Sequence, residues 1–212
     1  MAALTNNDKI SYKVLVIGDP GVGKTSIIRR FVHNVFSSNY KTTIGVDFAL
    51  KILPVDENTV VHLQIWDISG QDRYGVMTRV YYKDAHAAII VLDSTRERTI
   101  EGALRWKTDL DQKVTLADGS PVPAILLANK CDIDNKLGDD KLYDLETNNG
   151  FVGSFRTSAK ESVGIEEAFK FLANTVISTE QGGQYDVPFM NREGNVNLDD
   201  NTTHSRYDSK CC

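Results

Sequence analysis

The chain contains 212 residues, of which 41% are hydrophobic, and it carries a net charge of −5. This size suits one globular domain with a sizeable core, and the acidic balance argues against a nucleic-acid binder, whose contact surface is basic. No stretch approaches the ~18 consecutive apolar residues of a membrane span. Because residues 1–9 lack a signal-peptide pattern and the three cysteines form no disulfide framework, we expect a protein of the reducing cytosol.

Short apolar runs alternate with helical patterns along the chain. Strands are predicted at residues 12–17, 48–53, 60–66, 87–92, 124–128 and 151–156, and helices at 24–33, 100–113, 141–146 and 165–177. Strands separated by helices form mostly parallel sheets with helices on both faces. The turn-like Asp56-Glu57-Asn58 joins the second and third strands as a hairpin. We therefore predict an α/β fold with a six-stranded, mostly parallel sheet and one antiparallel edge strand.

The composition changes near Ser178, after which glycine, asparagine and aspartate are frequent and apolar residues are few. Such a segment cannot bury enough apolar surface to fold on its own. We therefore predict a folded domain over residues 8–178, followed by a disordered tail over residues 179–212.

A glycine-rich motif lies between the first predicted strand and the first predicted helix. It reads Gly18-Asp19-Pro20-Gly21-Val22-Gly23-Lys24-Thr25 and matches the phosphate-binding pattern G-x-x-x-x-G-K-[ST]. Its N–H groups and the helix N-terminus bind phosphate oxygens, the lysine reaches the β- and γ-phosphates, and the threonine ligates Mg²⁺. An ordinary glycine-rich turn is the alternative, but the flanking strand and helix favour a P-loop NTPase fold. Pro20 has no N–H and donates nothing to phosphate.

The third predicted strand runs into Asp67-Ile68-Ser69-Gly70-Gln71. Ligands of α/β sheets bind at the carboxyl ends of strands, so Asp67 is a candidate Mg²⁺ carboxylate, with helix capping as the alternative. Gly70 would let the backbone approach the γ-phosphate, and Gln71 could orient the attacking water as the catalytic residue. The Thr43 hydroxyl could join Thr25 and Asp67 around the metal, although alone it would be an ordinary loop threonine. The predicted phosphate-binding residues are Pro20, Gly21, Val22, Gly23, Lys24, Thr25, Ser26, Thr43 and Gly70.

Two motifs after later strands predict recognition of guanine. Asn129-Lys130-Cys131-Asp132 follows the fifth strand, and Ser158-Ala159-Lys160 follows the sixth. The Asp132 carboxylate can accept hydrogen bonds from the N1–H and 2-amino groups of guanine, which adenine lacks. Asn129 can tie this loop to the phosphate loop, the Lys130 stem can cover the base, and a backbone N–H of residues 158–160 can meet the guanine oxygen.

Together these residues resemble the Ras-like small GTPases, and specifically the Rab family, over residues 10–178 and the last two residues. Ile44-Gly45-Val46-Asp47-Phe48 and Tyr81-Tyr82-Lys83-Asp84-Ala85 resemble segments that mark Rabs among their relatives. The resemblance implies that Phe48, Trp66 and Tyr81, with Ile44, form an effector-binding surface, and that Phe36 flanks the base. Residues 46–51 and 66–68 are most similar to the Rab subgroup that serves lysosome-related organelles and melanosomes.

The resemblance also implies an activity and a set of partners. It implies a switch that binds GTP and GDP with Mg²⁺, hydrolyses GTP slowly and recruits effectors in vesicle traffic or organelle identity. The implied partners are a guanine-nucleotide exchange factor, a GTPase-activating protein, effectors of the GTP form, a prenylation escort and a GDP-dissociation inhibitor, but no nucleic acid. We expect a monomer that cycles between the cytosol and the cytosolic face of endomembranes, such as late endosomes, lysosome-related organelles or phagosomes.

Three positions depart from the usual Rab pattern. Pro20 stands where Rabs usually have serine or another residue, Ser69 stands where they have alanine, and Asp72 stands where they have glutamate. Pro20 and Ser69 lie near the expected γ-phosphate, so they bear on the rates of hydrolysis and exchange but not on the identity of the nucleotide. Two other functions are possible: a module that binds GTP without hydrolysis, and a P-loop ATPase or kinase. Gln71 argues against the first, and residues 129–132 argue against the second.

The last two residues are Cys211 and Cys212, which do not form a C-a-a-X box. In a Rab-like chain this pair implies two geranylgeranyl groups, while a fortuitous reactive pair or a weak metal site is the alternative. Stable anchoring takes two signals, and an acidic tail gains nothing from anionic lipid. We therefore expect lipidation of both cysteines.

Overall fold

The computed structural model describes residues 10–39, 41–55, 59–72, 78–133 and 137–180. This part of the chain forms six strands and five helices. The strands are β1 (Ile10–Ile17), β2 (Val46–Pro54), β3 (Val60–Ile68), β4 (Ala87–Asp93), β5 (Ala124–Asn129) and β6 (Gly153–Thr157). The helices are α1 (Lys24–His33), α2 (Thr78–Tyr82), α3 (Arg98–Lys113), α4 (Asp139–Asn148) and α5 (Ile165–Glu180).

The strands form one sheet in the order β2-β3-β1-β4-β5-β6. β2 pairs antiparallel with β3 at one edge, and every other pair is parallel. The predicted six-stranded, mostly parallel sheet with one antiparallel edge strand is therefore confirmed. The strand order reverses at β1, which lies between β3 and β4, and the carboxyl ends of strands at such a reversal form the binding crevice of an α/β sheet.

Helices cover both faces of the sheet. Alternate side chains of β1 point to opposite faces, as a strand requires: Val14 and Val16 pack in the core on the side of α1 and α5, whereas Leu15 and Ile17 pack on the side of α3. The central strands β4 and β5 are buried along their whole length, because a parallel sheet is covered on both faces.

Several boundaries differ from the sequence-based expectations. The short helix α2 was not predicted, because its five residues are too few to show a helical period in the sequence. β6 begins at Gly153 rather than at Phe151, whose apolar signal instead reflects burial in the core ahead of the strand. α5 continues to Glu180, so residues 179 and 180, which were predicted to begin the disordered tail, are helical. Residues 56–58, where the hairpin turn is predicted, residues 8 and 9, and the rest of the predicted tail, 181–212, lie outside the described residues. None of the described helices is long and apolar enough to span a membrane.

Candidate functional site

The glycine-rich motif forms the turn between β1 and α1. At Gly23, which has a φ of 104° and immediately precedes α1, an added Cβ would lie 2.3 Å from the side-chain nitrogen of Asn129. Gly70 approaches the same turn from the end of β3, and a Cβ there would lie 2.5 Å from the backbone nitrogen of Pro20. Neither position has room for a side chain, so the turn is packed tightly between the segments that follow β3 and β5.

Lys24 begins α1, and its ammonium group lies inside this turn. Nζ donates to the carbonyl of Gly18 at 2.7 Å and to the carbonyl of Asp19 at 3.1 Å. Burial lowers the pKa of Lys24 to about 8, against the opposing effect of the Asp67 and Asp19 carboxylates. The turn therefore surrounds a desolvated cation that an anionic ligand would stabilise.

Three oxygen-bearing side chains meet beside Lys24. Thr25 Oγ1 lies 2.8 Å from Thr43 Oγ1 and donates to Asp67 Oδ2 at 2.5 Å. Asp67 is 2% exposed, and its Oδ1 is buried with no hydrogen-bond partner among the described residues. Burial raises the pKa of Asp67, while Thr25 and Lys24 oppose the shift. Because Mg²⁺ prefers oxygen ligands, this donor set and its orphaned carboxylate oxygen fit the metal.

The segment after β3 is hydrogen-bonded to the segment before β2. The Ser69 N–H donates to the carbonyl of Gly45 at 2.9 Å, and the buried Ser69 hydroxyl accepts from the Gln71 N–H at 3.3 Å. These contacts join the segment that carries Gln71 to the segment that carries Thr43. The Gln71 side chain is exposed and lines the cavity described below.

Asn129 ends β5 and connects the two sides of the site. It is 1% exposed, its amide nitrogen donates to the carbonyl of Val22 at 2.8 Å, and its Oδ1 accepts from the Ala159 N–H at 3.3 Å. In the neighbouring loops, Asp132 Oδ1 accepts from Ser158 Oγ at 2.6 Å. The two predicted base-recognition motifs are therefore in contact with each other and with the phosphate loop.

An open cavity of about 550 Å³ runs between these groups. The predicted site residues that line it are Pro20, Gly21, Gly23, Lys24, Thr25, Ser26, Phe36, Thr43, Ile44, Gly70, Gln71, Asn129, Lys130, Asp132, Ala159 and Lys160. Val22 and Ser158 are fully buried and do not line it, while Asp67 lines a second cavity that shares Thr25. Most of the predicted residues are thus brought to one cavity, and these three lie behind its wall.

Three of the predicted effector residues lie on the outer strands of the sheet and on α2, and Ile44 lies just before β2. Phe48 and Trp66 are cross-strand neighbours on β2 and β3, with ring centroids 4.4 Å apart and an interplanar angle of 78°. The Lys13 ammonium group lies 3.6 Å from the centroid of the Trp66 ring, close enough for a cation–π interaction. Phe48 and Ile44 are exposed, whereas Tyr81 on α2 is partly buried against the α3 side of the core.

Asp93, the last residue of β4, belongs to the site although none of the sequence motifs includes it. Its Oδ2 accepts from Lys130 Nζ at 2.8 Å and from Arg96 Nε at 2.7 Å, and Lys130 Nζ also donates to the carbonyl of Gly21 at 2.9 Å. The carboxylate is 2% exposed. Its hydrogen bond holds the Lys130 ammonium group beside the carbonyl of Gly21 in the phosphate loop. The strand-end rule that indicated Asp67 applies equally to Asp93, so the sequence contained a usable signal.

Trp106 is a second residue beside the site that the motifs do not indicate. It is fully buried in α3, but its indole N–H donates to Asp19 Oδ1 at 3.1 Å. This bond attaches α3 to the phosphate loop. No residue pattern in the sequence indicates the contact, because it joins positions 87 residues apart.

The fold and this cavity define a nucleotide-binding protein built on a phosphate-binding loop. Residues 13–178 match the model of the Ras family. The chain is 50% identical over 206 residues to human Ras-related protein Rab-32, with 95% of this chain and 89% of the relative covered. It is 47% identical over 205 residues to Rab-32A of Dictyostelium discoideum (95% and 93% covered), and 45% identical over 191 residues to human Rab-7L1 (88% and 92% covered). The chain therefore belongs to the Rab branch of the Ras family of small GTPases.

Family membership confirms the sequence-based assignment to the Rabs and decides between the three functions considered. Small GTPases of this family bind GTP and GDP, generally with Mg²⁺, and hydrolyse GTP, so this chain is a GTP hydrolase with a Rab-like role in membrane traffic. Exchange factors, activating proteins, effectors and a GDP-dissociation inhibitor are the general partners of such proteins. The Rab-32 and Rab-7L1 relatives indicate an association with endomembranes.

Proposed function

We propose that the cavity is the GTP site of a molecular switch, with Mg²⁺ held by Thr25, Thr43 and Asp67. The observation that carries the proposal is the meeting of these three side chains, with Thr25 Oγ1 2.8 Å from Thr43 Oγ1 and 2.5 Å from Asp67 Oδ2. Thr25 belongs to the first turn of α1, whereas Thr43 belongs to the loop before β2. A ligand at this point therefore controls whether that loop stays docked.

The phosphate loop binds the charged end of the nucleotide. The backbone N–H groups from Gly21 to Ser26 face phosphate oxygens at the N-terminus of α1. Pro20, just before them, has no N–H to contribute. Lys24 exchanges its carbonyl partners for the β- and γ-phosphates, whose negative charge favours the ammonium form of this buried side chain. When bound, Mg²⁺ neutralises charge on the β- and γ-phosphate oxygens.

Gln71 orients the water that attacks the γ-phosphorus, because its amide both donates and accepts hydrogen bonds. As the new P–O bond forms, the bond to the bridging oxygen breaks, GDP leaves with the electron pair, and the proton of the water passes to the phosphate. Gly70 lets the backbone come close to the γ-phosphate, consistent with its packing on Pro20. Without a partner's arginine we expect slow turnover, on the order of 10⁻⁴ s⁻¹, and an increase of roughly 10³–10⁵-fold with an activating protein.

The other end of the cavity selects guanine. Asp132 accepts from N1–H and the 2-amino group, and a backbone N–H of the loop at residues 158–160 donates to the guanine oxygen. The stem of Lys130 and the ring of Phe36 cover the two faces of the base. This arrangement is supported by the contact between Ser158 and Asp132 and by the cavity lining.

The GTP form is recognised through the surface of Ile44, Phe48, Trp66 and Tyr81. Phe48 and Ile44 are exposed and lie just beyond Thr43 in the chain, so a partner bound there senses whether the loop is docked. Exchange of GDP for GTP thus becomes a change in affinity for effectors.

We also propose that the folded domain, predicted over residues 8–178 and extended by α5 to Glu180, is tethered by the remainder of the tail predicted at 179–212. Geranylgeranyl groups on Cys211 and Cys212, added with the help of a prenylation escort, hold the protein on the cytosolic face of late endosomes, lysosome-related organelles or phagosomes. A GDP-dissociation inhibitor returns the GDP form, as a monomer, to the cytosol. Nucleic acid is not a partner, because the chain is acidic overall.

A single-turnover assay of GTP hydrolysis tests the proposal. Purified full-length protein loaded with GTP should hydrolyse it slowly, Gln71→Leu should slow it further, and excess ATP should not displace the nucleotide. A turnover above ~0.1 s⁻¹ without any partner would contradict the slow switch. Unchanged hydrolysis by Gln71→Leu would remove Gln71 from its proposed role.

A further inference from the structure

Arg30, in the last turn of α1, uses its guanidinium group to join two loops of the site. Nε donates to the carbonyl of Ala159 at 2.9 Å, and Nη2 donates to the carbonyl of Lys160 at 3.0 Å. Nη1 donates at 3.0 Å to both the backbone carbonyl and the side-chain oxygen of Asn34. All three nitrogens of this side chain therefore donate, two of them to the loop at residues 159–160 and one to Asn34, which caps the C-terminus of α1.

The bond to the Ala159 carbonyl fixes the peptide that joins Ala159 to Lys160, and the bond to the Lys160 carbonyl fixes the peptide that follows it. In a trans peptide the carbonyl and the following N–H point in opposite directions, so a carbonyl held by Arg30 also fixes the direction of the Lys160 N–H. The Ala159 N–H is held separately by Asn129 Oδ1. The loop proposed to present N–H groups to the guanine oxygen is thus held from α1 as well as from β5.

The bonds to Asn34 act where α1 ends and where the nucleotide-sensing segment begins, that is, the segment of residues 35–45, which includes Thr43. Asn34 follows α1 with a left-handed backbone, φ 55°, and its N–H caps the helix by donating to Arg29 and Arg30 carbonyls. The chain turns there toward Phe36 and Thr43. The same guanidinium group therefore sets both the base loop and the point where this segment leaves the helix.

We propose that Arg30 is a positioning residue that couples guanine recognition to the start of the nucleotide-sensing segment and thereby slows nucleotide release. The inference rests on the proposed function, because it assumes guanine in the cavity. Arg30 does not line the cavity and acts only through Ala159, Lys160 and Asn34. The planar guanidinium group of arginine has several N–H donors that can reach all of these acceptors, whereas the single ammonium group of lysine cannot.

The first test is the rate at which full-length protein loaded with a fluorescent GDP releases it into excess GDP. Arg30→Met should release it about tenfold faster, because several charge-assisted hydrogen bonds are lost. Arg30→Lys keeps the charge and should release at nearly the Arg30→Met rate, and Asn34→Ala should give a smaller increase. The control is Lys170→Gln, which removes one exposed ion pair with Glu166 on α5 and should leave the rate unchanged.

A second measurement separates positioning from general loss of structure. The 5′-diphosphate of 2-aminopurine riboside lacks both the guanine oxygen and the N1–H, so it should bind more weakly overall, and its binding does not use the contact that Arg30 orients. Arg30→Met should weaken GDP binding about tenfold but weaken binding of this analogue distinctly less, as a coupled pair requires. Equal weakening of both nucleotides would overturn the proposal in favour of a purely structural role, and so would release by Arg30→Met and Arg30→Lys at the wild-type rate.

GDP binding by the wild-type protein tests the proposed function separately from the role of Arg30. If the unaltered protein does not bind GDP, the proposed function fails before any variant is compared. If it binds GDP tightly and the variants behave like it, only the role of Arg30 is lost.

Discussion

The proposed recognition of guanine depends mainly on one carboxylate, that of Asp132. It is 11% exposed and accepts one hydrogen bond from Ser158. Asp132→Asn should therefore weaken GTP binding by about a hundredfold or more, because the amide cannot accept from both guanine donors. The variant should bind xanthosine triphosphate instead, whose 2-oxo group needs a donor.

Competition titrations with GTP and xanthosine triphosphate measure this change. Asp144→Asn alters an exposed aspartate of α4 and should keep the wild-type preference. If Asp132→Asn bound GTP as tightly as the wild type does, the base would have to be recognised elsewhere.

The lowered pKa of Asp93 leads to a second prediction, which concerns the stability of the protein and its dependence on pH. Burial alone would raise its pKa, but the hydrogen bonds from Lys130 and Thr95 are stronger in sum and lower it below the ordinary 3.8. A carboxyl with a lowered pKa in the folded state contributes stability above its unfolded pKa and loses it as the pH falls through the folded value. Asp93→Asn should thus be less stable than the wild type at pH 7, by about 1–3 kcal/mol.

The difference should persist down to about pH 4 and shrink only below it, since the unfolded carboxyl titrates near 3.8. Urea unfolding of both proteins with GDP, at pH 7, 5 and 3, provides the comparison. A variant as stable as the wild type at pH 7, or a gap that closes between pH 7 and 5, would contradict this role of Asp93.

Among the structural elements, the segments before β2 and after β3 carry the proposed switch. They are joined by the hydrogen bond from Ser69 to the Gly45 carbonyl, and each carries one residue that is proposed to act beside the γ-phosphate, Thr43 and Gly70. We expect amides in residues 37–45 and 69–80 to exchange faster with GDP than with a non-hydrolysable GTP analogue, because loss of the γ-phosphate releases both segments. Amides of β5 serve as the internal control, and equal protection in the two states would leave no switch.

Element by element, the sequence was most informative where a strand ends in a motif. β1, β3, β5 and β6 each precede one predicted part of the site, and the confirmed fold brings their carboxyl ends to one side of the sheet. The sequence was least informative where contacts depend on tertiary packing. α2 is too short to show a period, and the bonds from Arg30 to Ala159 and from Trp106 to Asp19 each join positions more than 80 residues apart. Composition and spacing cannot indicate such pairs, because nothing local marks them.

At the scale of the whole molecule, the two terminal cysteines are predicted to decide where the protein resides. Cys211→Ser combined with Cys212→Ser should give a protein that stays in the soluble fraction of cell extracts and binds GTP normally, because stable anchoring takes two signals. Either single change should weaken membrane retention. Fractionation with a GTP-binding assay on the same samples measures both properties, and Cys131→Ser is the control for loss of a thiol. A double variant that still sediments with membranes would mean that the anchor lies elsewhere.

The hydrogen bond between Trp106 and Asp19 gives the protein an optical reporter of its own. The chain has two tryptophans, and Trp66 is the one on the partly exposed sheet surface. In Trp66→Phe, all indole emission would therefore come from a ring that is shielded from water and bonded directly to the phosphate loop. Nucleotide exchange could then be followed by ultraviolet emission with unlabelled GDP and GTP, and any partner that distorts this loop would be visible without attaching a dye.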